Sequence, residues 1–404
     1  SVNDYSAIQV MSLRQQTMNL ILTETKTRNI NLVADVIIDL LNSKPISDWP
    51  ELSSYLFNFD TSPSPEGFLI KLTLIDCLID EGKYALNSAE KSFLWSASFE
   101  LIQRNNVQVS GVLVRVVANI FGQYFDEESS ETATLNKCLL DVMRVLQVCL
   151  SSGCVQALET DISKLLAVVS EQMSSNAFQF QKIEATQLIF EFILSNRLFY
   201  GTFPLTLAEH IFEILHLLID VNPRLYFKSN DPGVLSTLFA ILAQILIAEE
   251  TKINQNSKRD DFEFDEEENM TMIPTVMVLI HALSSTFSKE KQVFHLLKQL
   301  RENELEAKGF MRLSLLVLSS TGECFKKFYS KETKTLSRKL IDCLSVADRH
   351  LVHTALRTVA GLCNDIGDKL ISQHATFVPK ILELLEMGIR SLESSNKADI
   401  PGSI

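Results

Sequence analysis

Glycine and proline are scarce in this chain, with 13 and 10 residues among 404. An antiparallel sandwich or barrel needs turn residues at intervals of roughly 8–12 positions, and that supply is missing. The shortage excludes a β architecture and favours long helices. Uninterrupted apolar runs are missing too. The longest apolar stretch, Val234 to Ala248, is broken by Ser236, Thr237 and Gln244, and it is shorter than the roughly 20 residues that span a bilayer. The polar opening Ser1-Val2-Asn3-Asp4-Tyr5 offers no secretory leader. The expectation is a soluble intracellular protein, cytoplasmic or nuclear, without membrane insertion. The chain lacks an initiating Met and begins and ends in polar residues, as a fragment of a longer protein would.

Ordered cysteine spacing and catalytic signatures are also missing. The seven cysteines are odd in number and irregularly placed, so no disulfide framework is expected. Most lie in apolar helical runs, as Cys138 does beside Leu139 and Cys363 after Leu362, and read as small buried hydrophobes. Cys149 and Cys154 are close but lack the spacing of a redox or zinc motif. There is no Gly-x-Ser-x-Gly elbow, no Gly-rich phosphate loop followed by Lys-Ser/Thr, no His-Glu-x-x-His and no dinucleotide fingerprint. Carboxylates such as Glu323 and Asp342 sit on polar helix faces. No enzyme activity and no cofactor are expected. His350 and His353 share a helix face, but no third ligand accompanies them, so no metal is expected. A net basic charge is absent as well: the formal charge is −13. That balance argues against a phosphate backbone as the general partner and suits a neutral or basic protein.

What the chain does have is apolar periodicity. Apolar residues recur at i, i+3, i+4 and i+7 in long blocks separated by short polar breaks, in a chain that is 46% hydrophobic. The pattern predicts helices near 5–25, 30–42, 66–80, 88–104, 107–124, 132–150, 155–172, 177–195, 204–220, 233–250, 271–287, 289–300, 305–328, 333–345, 348–366 and 375–394. Residues 43–65, rich in Ser and Pro, form a connector around a short helix. The segment Leu235, Leu238, Phe239, Ile241, Leu242, Ile245, Leu246, Ile247 is apolar over more than half its circumference and must be covered on two sides. Stacked helical hairpins cover their helices in this way. The spacing of the pairs shows no fixed period.

The clearest unit runs from Asp348 to Leu385. Asp348 stands where a helix cap belongs; Val352, Ala355, Ala360 and Gly361 follow, then a break at Gly367, then Pro379 and Leu384-Leu385. This segment resembles a HEAT repeat. It departs from the family at His353, where an Arg is usual, and so weakens there the Asp–Arg ladder that ties neighbouring HEAT units together. The resemblance implies an all-α fold, a right-handed α-solenoid of stacked antiparallel helix pairs of HEAT or armadillo type. It also implies a non-enzymatic scaffold that binds a partner protein on its helical-repeat surface. Importin-β-type transport receptors share this rhythm, so a nuclear transport receptor, or a piece of one, is an alternative. A chromosome- or nucleic-acid-associated assembly factor is another. The expected organisation is an N-terminal repeat region over 1–250, an acidic insertion over 251–270, a C-terminal repeat region over 271–396 and a polar tail over 397–404.

Two charged segments are the candidate contact sites. In the insertion, Asp260, Asp261, Phe262, Glu263, Phe264, Asp265 and Glu266 combine carboxylates with two apolar anchors, a composition suited to a basic segment of a partner. Importin-β-like receptors carry an acidic loop within the solenoid. From Phe287 to Lys339, 12 Lys and Arg stand against 6 Glu. Lys326, Lys327, Lys331, Lys334 and Arg338 are its densest part and define a candidate positive face. Phe325, Phe328 and Tyr329 beside them would suit phosphate or nucleic-acid contact.

Overall fold

A computed structural model describes residues 7–23, 27–41, 46–58, 65–80, 89–90, 93–94, 107–126, 132–151, 155–180, 185–195, 205–224, 233–256, 271–371 and 374–398. Every regular element among these residues is helical, with no strand. The chain divides into two compact units, Ser1–Asn222 and Pro223–Ile404. The helix around residue 250 belongs wholly to the second unit.

The first unit holds α1 (Ala7–Thr23), α2 (Thr27–Leu41), α3 (Pro50–Phe57), α4 (Pro65–Asp80), α5 (Val107–Asp126), α6 (Thr132–Ser151), α7 (Glu159–Ser175), the single turn α8 (Ala177–Phe180), α9 (Ala185–Ser195) and α10 (Leu205–Val221). Helices α2, α4, α5, α7 and α10 stack side by side in one row. Behind them α1 packs on α2, α3 on α4, α6 on α5, and α9 on both α6 and α10. Residue type explains the row. In α5, Val112, Leu113, Val114, Val116, Val117, Ala118, Ile120 and Phe121 are all buried, so this helix is covered on most of its circumference. Pro50 begins α3, where its missing N–H goes unneeded. Within the run expected as one helix over 177–195, the described residues are those of α8 and α9.

The second unit holds α11 (Gly233–Asn256), α12 (Ile273–Thr286), α13 (Lys291–Gln299), α14 (Met311–Thr321), the turn α15 (Lys326–Tyr329), α16 (Thr333–Leu344), α17 (Arg349–Ile366), the turn α18 (Asp368–Ile371) and α19 (His374–Ala398). Helices α12, α14 and α17 form a row, and α11, α13, α16 and α19 back it. The row has a fixed step that the sequence pattern concealed: its helices start at residues 273, 311 and 349, each 38 residues after the last. The architecture is thus the all-α solenoid of stacked helix pairs that the HEAT-like unit implies.

Four local differences have physical causes. The helix expected over 305–328 is interrupted: α13 runs on through a π-helical turn, Leu300–Leu305, and a tight turn, Glu306–Lys308. It stops at Gly309, whose φ of +90° is a left-handed conformation open to glycine. The Phe310 N–H then closes back on the Leu305 carbonyl at 2.9 Å. Pro379 lies inside α19 and does not start it. The first residues of the expected acidic loop continue α11 to Asn256, with Ile253 buried. Helix α11 is consequently longer than its apolar stretch suggested, and by length and composition it is the one helix among the described residues able to cross a membrane. Here its apolar side chains, Leu235, Leu238, Phe239, Leu242 and Leu246 among them, are buried within the protein.

Candidate protein-interaction surface

Helix α16 and the turn before it are amphipathic, and both faces are accounted for. The inner face presents Tyr329, Leu336, Leu340, Cys343 and Leu344, all buried. Phe325 and Tyr329 join Phe294 of α13 and the half-buried Phe328 in one aromatic cluster. Phe328 stacks on Phe294 at 4.7 Å, and Tyr329 meets it edge-on at 5.2 Å. The Tyr329 hydroxyl lies 2.8 Å from the Thr321 hydroxyl, and burial raises its pKa above the ordinary phenol value. These rings fix the helix to the core, so Phe325 and Tyr329 are not available to stack on nucleobases.

The outer face carries the five cations expected from the sequence. Lys326, Lys327, Lys331, Lys334 and Arg338 are all exposed. Lys327 lies on the turn α15, Lys331 in the bend that follows it, and Lys334 and Arg338 one helical turn apart on α16. Backbone bonds tie α15 to the bend: Ser330 N–H reaches the Lys326 carbonyl at 3.0 Å and Lys331 N–H the Phe328 carbonyl at 3.0 Å.

Neighbouring cations of the same basic stretch are engaged. Lys298 of α13 pairs with Glu332 at 2.5 Å, a hydrogen bond that raises the Lys298 pKa. Lys339 reaches Glu306 at 2.7 Å and Glu302 at 3.4 Å. Lys308 pairs with Glu304 at 2.7 Å, and Arg312 forms a buried two-pronged pair with Glu250. Lys327, Lys331, Lys334 and Arg338 make no ion pair or hydrogen bond with the described residues. Lys326 acts at longer range on Asp365. That carboxyl is raised above its usual range by burial and by Glu323, with Lys326 pulling the other way.

The other sequence-derived candidates are spread more widely. Asp260, Asp261, Phe262, Glu263, Phe264, Asp265 and Glu266 lie outside the described residues. Asp348 caps α17 as its spacing implied, accepting from the N–H groups of His350 at 2.9 Å and Leu351 at 3.1 Å. His350 is half-buried and His353 exposed. No group of three or more His, Cys, Asp or Glu among the described residues is placed to hold a metal.

Sequence reading missed the Asp–Arg ladder, which occurs in the first unit. Arg115 of α5 donates to Asp76 of α4 at 2.8 Å and to Asp161 of α7 at 2.5 Å. Asn119 adds a bond to Asp76 at 3.3 Å. The signal was a charged residue recurring inside apolar helices about one repeat apart. Also missed were a cleft of about 290 Å³ between α11 and α13, lined by Phe239, Leu296, Leu300 and Asn303 among others, and an exposed apolar stripe on α19, Val378, Leu382 and Leu385.

No protein-family model matches the chain, and no curated protein sequence does. Solved structures do resemble it. The crystal structure of Kap121p superposes with a TM-score of 0.67 at 14% identity, over 95% of this chain and 36% of that one. Kap121p bound to RanGTP gives 0.66 at 13% identity, covering 94% and 35%. The karyopherin Kap121p bound to the SUMO protease Ulp1p gives 0.64 at 12% identity, covering 93% and 35%. The likeness is one of fold, and the chain spans little more than a third of the length of these relatives.

Proposed function

We propose that the protein is a non-enzymatic interaction scaffold, intracellular in the cytoplasm or nucleus, that holds a partner protein on its helical-repeat surface. The observation that carries this reading is the contrast along the basic stretch. Lys298, Lys308, Arg312 and Lys339 are paired internally, whereas Lys327, Lys331, Lys334 and Arg338, the densest exposed group of the stretch, make no ion pair among the described residues and are left for a partner. The structural relatives support it, because Kap121p has been crystallised with protein partners such as RanGTP and Ulp1p. Asp260, Asp261, Phe262, Glu263, Phe264, Asp265 and Glu266 form a second contact in this proposal, suited to a basic segment.

Affinity purification tests the reading. The intact chain serves as bait beside a variant lacking residues 257–268, a deletion that spares the helical end of α11. Recovery of specific protein partners by the intact chain is expected, with some lost from the variant. Recovery of none would remove the scaffold reading, and identical recovery would remove the role of the acidic segment.

The likeness to Kap121p favours a second reading, a nuclear transport receptor or a piece of one. Binding to a GTP-loaded transport GTPase, and not to its GDP form, is the measurement that distinguishes it. A nucleic-acid-associated role is a third reading, for which Phe325 and Tyr329 are buried and Phe328 half-buried, and a gel shift at moderate salt would test it.

A further inference from the structure

The outer face of α15 and α16 is a charged surface of unusual economy. It gathers Lys327, Lys331, Lys334 and Arg338, all exposed, along α15, the bend after it and the first turns of α16, in a chain whose formal charge is −13. Three carboxylates close in sequence or packing are committed elsewhere, Glu332 to Lys298 and Glu302 and Glu306 to Lys339, while Glu323 and Asp342 are exposed, four residues from Lys327 and Arg338. The backbone beneath is held by the Phe294, Phe325, Phe328 and Tyr329 cluster, so the array is presented on a rigid element. A preorganised array loses less entropy on binding than one on a mobile loop.

We infer that this face is the docking site for an acidic segment of a partner protein. The inference rests on the scaffold reading and supplies its partner chemistry. A protein segment is favoured over nucleic acid on two grounds. The aromatic side chains that would stack on bases are turned into the core, and the negative charge of the whole chain repels a long polyanion while leaving a short acidic segment free to dock locally.

The test uses the full chain and fluorescence anisotropy with two probes, a labelled peptide of eight glutamates and a labelled single-stranded oligonucleotide of eight nucleotides. Three proteins are compared: the unaltered chain, the variant K327E/K331E/K334E/R338E, and the control K289E/K291E, which reverses two exposed cations elsewhere in the basic stretch. Because all these side chains are exposed, melting temperatures should agree within a few degrees. A neutral variant, K327Q/K331Q/K334Q/R338Q, stands in if the reversed one melts early. The expected result is peptide binding that weakens at least tenfold in the quadruple variants and less than twofold in the control. It should also weaken steeply between 50 and 300 mM salt and exceed oligonucleotide binding in the unaltered chain. Equal peptide affinity in the quadruple variants, or no peptide binding at all, would overturn the inference, and so would tighter binding of the oligonucleotide. If affinity purification recovers partners that the quadruple variant retains, the scaffold survives and this site falls. If the intact chain recovers no partner, the scaffold reading itself falls.

Discussion

Between Ser1 and Asn222, successive helices of the stacked row are joined through charge: Arg115 on α5 reaches back to Asp76 on α4 and forward to Asp161 on α7. Between Pro223 and Ile404, the corresponding row is joined through apolar packing and hydroxyls. Thr358 on α17 donates to the Leu315 carbonyl of α14 at 3.3 Å and to the Thr354 carbonyl within its own helix at 2.8 Å. Charge in the second unit lies instead in the backing row, where Lys298–Glu332 and Lys339–Glu306 tie α13 to the α15–α16 segment, and in the buried pair between Glu250 of α11 and Arg312 of α14. The row with a constant 38-residue step is the one without a ladder. In the first unit, row helices start at residues 27, 65, 107, 159 and 205, so their spacing varies and side-chain packing cannot simply repeat. A long, forked side chain tolerates such variation, because it reaches two carboxylates across gaps that apolar side chains would leave void.

The largest effect that would probe this contrast is expected at Arg312. Truncation by Arg312→Ala strands Glu250 in the core and should cost about 3–5 kcal/mol, as for other broken buried pairs. The drop would be read as a lower urea midpoint with an unchanged slope. Glu250→Met/Arg312→Leu should recover most of the loss, and failure to recover would mean that the pair does more than neutralise itself. Arg115→Ala comes next, at about 2–3 kcal/mol, because the buried Asp76 and the half-buried Asp161 lose one shared donor. A melt in which Arg115→Ala and Asp161→Ala are additive would show that the ladder is not a unit.

A smaller effect, about 1–2 kcal/mol, is expected for Gly111→Ala. Its new methyl would press on the Asp161 carboxylate that Arg115 holds. The second unit has a counterpart in Gly322 against Asp365, where no arginine fixes the carboxylate, so Gly322→Ala should cost less. Equal costs at the two sites would sever the link to the ladder.

The smallest effect is one of pH. Burial raises the Asp76 carboxyl above its ordinary value of 3.8 despite the neighbouring Arg115. The native state therefore holds this proton more tightly than the unfolded chain does. Just above pH 3.8 its contribution to stability declines as pH rises. Subtracting the pH profile of Asp76→Asn from that of the unaltered chain should reveal this downward component, and a flat difference would count against it.

Much of this fold was legible in the residues. The Asp348 cap, the break at Gly367 and the apolar α11 all stand where periodicity and capping chemistry put them. The interruption at Gly309 was not read, although glycine was visible there, because apolar spacing continues across it into Leu313 and Leu315. Asp76, Arg115 and Asp161 were invisible for another reason: each is an ordinary charged residue until the stacking of three helices brings them together. The candidate positive face stood out through composition. Its division into paired and unpaired cations depends on contacts between α13 and α16 that no local pattern records.

The constant step of the second unit has a practical corollary. Chain cut between the starts of α14 and α17, residues 311 to 348, comprises one row helix, one backing helix and their connections. It amounts to a cassette whose two ends occupy equivalent positions. Duplicating it in tandem would lengthen the protein by one quantum and present the basic array twice. The protein is in this sense a ruler whose graduations can be added or removed, and the reach between its contact sites becomes an adjustable design variable.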